Sequence, residues 1–205
     1  MEDKKSHWEN VFSTKSENEV SWFQKTPLTS FQFIEKLKLN KDSKIIDIGG
    51  GDSYFIDSLI ELGYTNLTLL DISSKAIERI KNRLGKKSKN VTFVVSNILD
   101  FKPNEVYEFW HDRASFHFLT EKNQIEKYAE IVSNALTFDG KMVIATFSEN
   151  GPKKCSGLDI TQYNEQKMNE VFQDNFELIN SFTEDHKTPF DTIQNFIFCT
   201  YKRKK

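Results

Sequence analysis

The segment Asp47-Ile48-Gly49-Gly50-Gly51-Asp52-Ser53 has the clearest chemical meaning in this chain. It follows a short apolar run, Lys44 to Ile48, and opens a stretch from Ser53 to Leu62 that Gly63 stops. In that stretch Phe55, Ile56, Leu59, Ile60 and Leu62 recur at helical spacing. Glycines at a strand-to-helix turn permit a tight bend and let a ligand approach the backbone with no Cβ in the way. Asp71 closes a second apolar run, Leu67 to Asp71, about 20 residues past the loop. An acid at that place accepts hydrogen bonds from a bound ribose. Ser73 and Ser74 are there to cap the next helix, which frees Asp71 for a ligand. The pair of features points to a nucleoside.

A nicotinamide dinucleotide site wants a further glycine where Tyr54 stands, and no glycine-lysine phosphate loop is present. Asp47 ahead of the glycines would repel a pyrophosphate but suits a cationic ligand with an amino-acid tail. S-adenosylmethionine, whose transfer product is S-adenosylhomocysteine, is such a ligand. Here the chain resembles the class I S-adenosylmethionine-dependent methyltransferases. Their acid-x-Gly-x-Gly-x-Gly motif matches Asp47 to Ser53, with Ser53 in place of the last glycine. The resemblance implies that Gly49, Gly50 and Gly51 cradle the methionine end and that Asp71 holds the ribose hydroxyls. It also implies that Ile72 lies against adenine and that Asn97-Ile98 meet the adenine edge, where the family usually has Asp.

Methyl transfer from a sulfonium is an in-line displacement, so positioning and charge stabilisation carry most of the catalysis. Trp110-His111-Asp112-Arg113-Ala114-Ser115-Phe116-His117-Phe118 follows a weak fourth strand, Val106 to Trp110, and sits where ligands bind in parallel sheets. His111, Asp112, Arg113 and His117 are the candidate catalytic residues, with His111 the expected cofactor contact and His117 a candidate base. An Asp112–Arg113 structural pair and a core His117 are the competing readings. Ahead of the first strand, His7-Trp8 to Phe12 and Ser21-Trp22-Phe23 flank a polar stretch, Ser13 to Glu19. Residues 1–26 are therefore expected to form an aromatic lid, in which Trp8, Phe12 and Trp22 cap the cofactor and lend a cation–π contribution of about 1 kcal/mol. A flap that only covers the sheet is the alternative.

Within the class the chain is similar to the thiopurine methyltransferase-like group. The matching features are the tryptophan-bearing N-terminus, Asp112-Arg113-Ala114, Tyr128-Ala129, Gly151-Pro152 and Glu184 to Phe190. That likeness implies a small thiol or other soft acceptor, with Cys155 at its entrance. A thiol with a pKa near about 8.5 needs little help to ionise. A protein-lysine N-methyltransferase is the second reading, and a non-catalytic cofactor-binding partner subunit the third.

The elements that must position these residues alternate. Strands are expected at 91–95 and 141–147 besides those above, and helices at about 74–84, 121–136 and 166–172. The runs 176–182 and 192–201 have no helix between them and should form an antiparallel hairpin. The expected fold is an α/β three-layer sandwich with a seven-stranded, mostly parallel sheet, residues 27–205 being one domain. Among 205 residues, 38% are hydrophobic and 13% aromatic, enough for a core, and 28% are charged. The net charge of −2 gives no reason to expect nucleic acid. Two cysteines, no metal-ligand spacing, no leader-like start and no membrane-length apolar run point to a reduced, cytoplasmic protein. It is expected to be a monomer or weak dimer, with Lys202 to Lys205 a solvated, frayed end.

Overall fold

The computed structural model describes residues 2–205; Met1, the first residue of the expected lid, lies outside them. The strands are β1 (Lys44–Ile48), β2 (Asn66–Asp71), β3 (Val91–Val95), β4 (Tyr107–Arg113), β5 (Leu136–Phe147), β6 (Lys154–Cys155), β7 (Leu158–Asp159), β8 (Phe176–Lys187) and β9 (Ile193–Arg203). The helices are α1 (Glu2–Thr14), α2 (Leu28–Leu37), α3 (Phe55–Glu61), α4 (Ser74–Leu84), α5 (Lys122–Ala135) and α6 (Glu165–Phe172). Seven strands form one sheet in the order β3-β2-β1-β4-β5-β9-β8, while β6 and β7 pair separately. β1 to β5 run parallel, and β9 is reversed, pairing antiparallel with both β5 and β8, as the hairpin pattern predicts.

Strand alternation divides the core in two. Ile45 packs on one face with Phe33 and Ile34 of α2 and Phe55, Ile56 and Leu59 of α3. Ile46 and Ile48 face the other way, toward Tyr128 and Val132 of α5 and Met168 and Phe172 of α6. Burying each such side chain contributes roughly 1.5–3 kcal/mol, which fixes the register of the central strands. Ser73 caps α4, its Oγ accepting from the Ala76 amide at 3.2 Å.

Four expectations change. β4 continues through His111, Asp112 and Arg113, because Asp47 and Val143 flank His111 in register and Ile48 and Ile144 flank Asp112. Ladder pairing on both sides overrides the polar composition that suggested a loop. β8 likewise extends to Lys187 opposite Ile193. The segment expected as a lid is helical in α1, and α2, just beyond it, is a helix that the sequence reading did not place. The basic end is not frayed: Arg203 in β9 donates to the Leu136 carbonyl and Lys202 pairs with Asp139 at 2.7 Å.

Candidate active site

The glycine loop leaves β1 at the carboxyl edge of the sheet. The Gly49 amide donates to the Leu70 carbonyl at 2.7 Å, which ties the turn to β2. Gly49 and Gly51 have φ of +61° and +54°, conformations that L side chains rarely adopt. A Cβ on Gly49 would lie 2.6 Å from the Ser115 Cβ, and one on Gly51 would lie 3.1 Å from the Phe12 ring. The Gly51 amide donates to Asp71 Oδ2 at 2.9 Å, and the Ser73 amide to Asp71 Oδ1 at 2.8 Å. Burial pushes the Asp71 carboxyl up to about 7 against these two donors, and the Asp52 and Asp47 carboxylates add to the rise.

Below the loop, Asp47 Oδ1 accepts from His111 Nδ1 at 2.7 Å. His111 Nε2 lies 2.9 Å from the Ser30 hydroxyl of α2. The ring lies 4.2 Å from that of Phe55, centroid to centroid. Asp47 Oδ2 is buried with no donor in reach. A buried acceptor of this kind at the loop asks for a donor from a ligand.

Both the loop and β4 open into one large cavity. Trp8, Phe12, Trp22, Asp47, Gly49, Gly50, Gly51, Asp71, Ile72, Asn97, Ile98, His111 and Arg113 all line it, so most of the expected site residues come together. Asn97 also caps a short turn, its Oδ1 accepting from the Leu99 amide at 3.0 Å. Trp8 meets Trp22 edge-on at 5.6 Å and Phe118 at 5.2 Å, forming an aromatic roof.

The roof is fastened at several points. Glu9 of α1 accepts from the Ser74 and Lys75 amides at 2.8 and 3.0 Å and from the Ser73 and Ser74 hydroxyls at 2.8 and 2.9 Å. Its carboxylate thus sits on the positive N-terminal end of α4. Burial opposes the charge, yet these four donors hold the Glu9 carboxyl down at about 2. Arg79, itself paired with Asp52 at 3.1 Å, donates to the Lys15 carbonyl. Tyr54 donates to Glu17 at 2.9 Å, and His186 Nε2 donates to the Ser21 carbonyl at 2.8 Å. The fastening by Glu9 is present above the carboxyl's unfolded value and is lost as pH falls through its depressed one. Glu9→Gln should therefore loosen α1 at neutral pH, raising proteolytic cleavage ahead of Trp22 several-fold with the melting point of the sheet domain little changed. Cleavage at the wild-type rate would remove Glu9 as the fastener.

Asp112 and His117 are corrections: neither lines the cavity. Asp112 Oδ1 accepts from the Ser115 and Phe116 amides, each at 3.0 Å, and Oδ2 accepts from the Tyr128 hydroxyl at 2.7 Å. Its carboxylate closes the turn after β4, and no Asp112–Arg113 ion pair forms among the described residues. Burial lifts the Asp112 carboxyl to about 6 against those donors. His117 is fully buried between Phe118 and Phe147. Burial, with Arg113 nearby, pushes it down to about 3, which makes it a poor base. Gly151 and Pro152 also stay outside the cavity, whereas Cys155 lines it, its thiol pushed up by burial to about 12.

Ser30, Glu9, Tyr54 and Gln24 are site residues that the sequence reading passed over. Trp8, Val11 and Phe12 stand at i, i+3 and i+4, and Phe33, Ile34 and Leu37 at i, i+1 and i+4, so the helical signal for α1 and α2 was available. Nothing local marks Glu9 as a cap for a helix 65 residues away.

Residues 39–197 match the family described as Methyltransferase domain. Over 168 residues the chain is 23% identical to malonyl-[acyl-carrier protein] O-methyltransferase 1 of Ilyobacter polytropus, covering 77% of this chain and 61% of that protein. It is 25% identical over 157 residues to human EEF1A lysine methyltransferase 2, covering 69% of this chain and 66% of that one. The chain thus spans about two thirds or less of the length of these curated relatives. Among solved structures, Burkholderia thailandensis 1,6-didemethyltoxoflavin-N1-methyltransferase, with bound 1,6-didemethyltoxoflavin and S-adenosylhomocysteine, superposes with a TM-score of 0.71 at 15% identity, covering 100% of this chain and 87% of its own. A glycine loop, an acid closing the second strand and a family match over most of the length agree, and the chain belongs to the methyltransferase-domain family.

Proposed function

We propose that this chain is an S-adenosylmethionine-dependent methyltransferase whose acceptor is a small molecule, a thiol or similar soft nucleophile. The observation that carries the acceptor reading is the fastened roof, in which α1 and the segment through Trp22 lie over the cavity and are tied down by Glu9, Arg79 and His186. A cavity roofed in this way favours a small acceptor over a lysine presented on a protein surface, which needs an open groove.

S-adenosylmethionine supplies an electrophilic methyl on a sulfonium, and the residues present fit it. The loop at Gly49 and Gly51 is a cradle that a Cβ would crowd. Asp47 Oδ2 is a buried acceptor suited to the ammonium of the amino-acid tail. Asp71 stands at the end of β2 for the ribose hydroxyls, with Ile72, Asn97 and Ile98 beside it for adenine. His111 holds Asp47 in place from below and is itself held by Ser30. Trp8, Phe12 and Trp22 line the cavity on its roof side, where they would exclude water and offer aromatic surface to a sulfonium. In this reading the side chain that faces an acceptor is Arg113 of β4, not Asp112 or the His117 that follows the strand. The thiopurine methyltransferase-like likeness supports the thiol choice through the Asp112-Arg113-Ala114 step. The runner-up, protein-lysine methylation, draws support from the human relative.

Asp71 gives a pH test. Its carboxyl, raised to about 7, is largely protonated in acid, while ribose hydroxyls donate to the ionised form. Binding therefore releases a proton, and S-adenosylhomocysteine affinity should rise roughly tenfold from pH 6 to pH 8 and then level off. The sign for stability is opposite, since a raised carboxyl costs the ligand-free protein stability as pH climbs from the unfolded value through about 7. Asp71→Asn should flatten the affinity profile and weaken binding about tenfold at pH 8. Calorimetry at several pH values decides this, and an unchanged profile in the variant would remove the ribose assignment.

The functional test is S-adenosylmethionine with a labelled methyl, incubated with the protein, a cell extract and a panel of thiols including sulfide and methanethiol. Label in a small or volatile product is the expected result. Label in a protein band would transfer the case to lysine methylation. Bound cofactor with label in neither fraction would leave a non-catalytic partner subunit.

A further inference from the structure

Arg113 is a charge in the cavity wall that makes no ion pair among the described residues. Arg79 and Arg83 pair with Asp52 and Asp57 at 3.1 and 2.8 Å. Arg113 has no carboxylate within ion-pair distance among the described residues. Its Nη1 donates to the Trp22 carbonyl at 3.2 Å, and its guanidinium lies 4.9 Å from the centre of the Phe196 ring. Two acids favour its charge from beyond ion-pair distance, Glu184, whose two oxygens share the Thr29 hydroxyl at 2.7 and 2.8 Å, and Asp47. A guanidinium offers five N–H donors in a rigid fork, and here one is used. Burial lowers Arg113 only to about 10, so it stays charged at neutral pH. The neighbouring histidines, His117 and His186, are both held toward the neutral form by burial and by Arg113 itself.

We infer that Arg113 anchors the methyl acceptor by a carboxylate, so that the substrate is a small soft nucleophile that also carries a carboxylate group. This rests on the small-acceptor reading above. A single fork matches a planar carboxylate in two parallel hydrogen bonds. Lys4, which also lines the cavity, is a point charge that donates to the Phe118 carbonyl at 2.6 Å and lacks a fork, so the planar, two-point match belongs to Arg113. Trp22, Gln24 and Cys155 line the cavity with Arg113 and would enclose the rest of the molecule. An acceptor anion also complements the cationic sulfonium it must approach.

The test uses the full chain saturated with S-adenosylhomocysteine and titrated with mercaptoacetate, 3-mercaptopropionate and 2-mercaptobenzoate, each beside its primary amide. At least one carboxylate should bind about ten- to a hundredfold more tightly than its amide. That preference should vanish in Arg113→Gln and shrink in Arg113→Lys, whose ammonium cannot reproduce the fork. S-adenosylhomocysteine affinity and the melting point serve as folding checks, and the lysine variant carries the comparison if the glutamine variant fails them. The inference is overturned if no carboxylate outbinds its amide, including the case where nothing binds, or if the preference survives both substitutions. Carboxylate preference without methyl transfer to any thiol would sink the thiol reading and leave the anchor standing. Thiol methylation with no carboxylate preference would do the reverse.

Discussion

Gly51→Val should weaken S-adenosylhomocysteine binding by about a hundredfold while the sheet still folds. Two effects add at this position. The backbone has φ +54°, and a β-branched residue held there costs on the order of 1–3 kcal/mol. The new Cβ would also stand 3.1 Å from the Phe12 ring and 3.8 Å from Asp71 Oδ2, with the rest of the valine between the loop and the roof. Relief by a backbone shift would move the Gly51 amide away from Asp71, which loses one of the two amide donors its carboxylate has. Either route spoils the cradle and the acid together. Gly63→Val is the control, because it too has positive φ, +85°, but nothing within 4 Å of an added Cβ. It should lower stability and leave affinity within about twofold. Calorimetric titration of both variants decides the matter, and a wild-type dissociation constant for Gly51→Val would sink the loop assignment.

Removing residues 1–24 should cut methyl transfer by at least about a hundredfold and leave a folded domain. The segment contributes Trp8, Phe12, Val20 and Trp22 to the cavity, and its hydrogen bonds run to the N-terminal end of α4, to Arg79, and to His186 of β8 and Arg113 of β4, all at side chains rather than in a strand ladder. The two main core clusters are built from α2 onward, with Trp8 alone of this segment packed against them. Water would reach the reacting atoms, and Arg113 would lose the carbonyl that orients its guanidinium. The loss should fall mainly on turnover, with a smaller loss of cofactor affinity from the missing aromatic faces. Far-ultraviolet circular dichroism and a thermal melt establish the fold, and the labelled-methyl assay measures turnover. Full turnover in the truncated chain would show that the roof is only a cover.

The parallel order of the sheet and the place of the glycine loop were legible because they depend on local pattern. An apolar run such as Lys44 to Ile48 has one way to be buried on both faces, and glycines directly after it mark the turn. Asp71 was legible for the same reason, lying at the end of the next such run. His111, Asp112 and Arg113 were visible as a group but not as individuals. In β4 successive side chains point to opposite faces, so His111 and Arg113 reach the cavity while Asp112 turns back to Tyr128 and the following amides. Composition cannot tell such neighbours apart, since only the exact strand register sets their direction.

Sequence alone thus determined the class of fold, the glycine loop after the first strand, the acid at the end of the second and the presence of an aromatic N-terminal segment. Tertiary structure decided which charges face the cavity. Glu9 reaches the N-terminal end of α4, Ser30 reaches His111 and Thr29 occupies Glu184, and each pairing spans 64 or more residues of chain. These contacts carry no local signature, because a hydrogen bond between distant residues depends on how the helices pack and not on spacing along the chain. Arg113 makes no ion pair among the described residues for the same reason: packing brings a carbonyl and an aromatic ring to the guanidinium and keeps Glu184 and Asp47 beyond ion-pair distance.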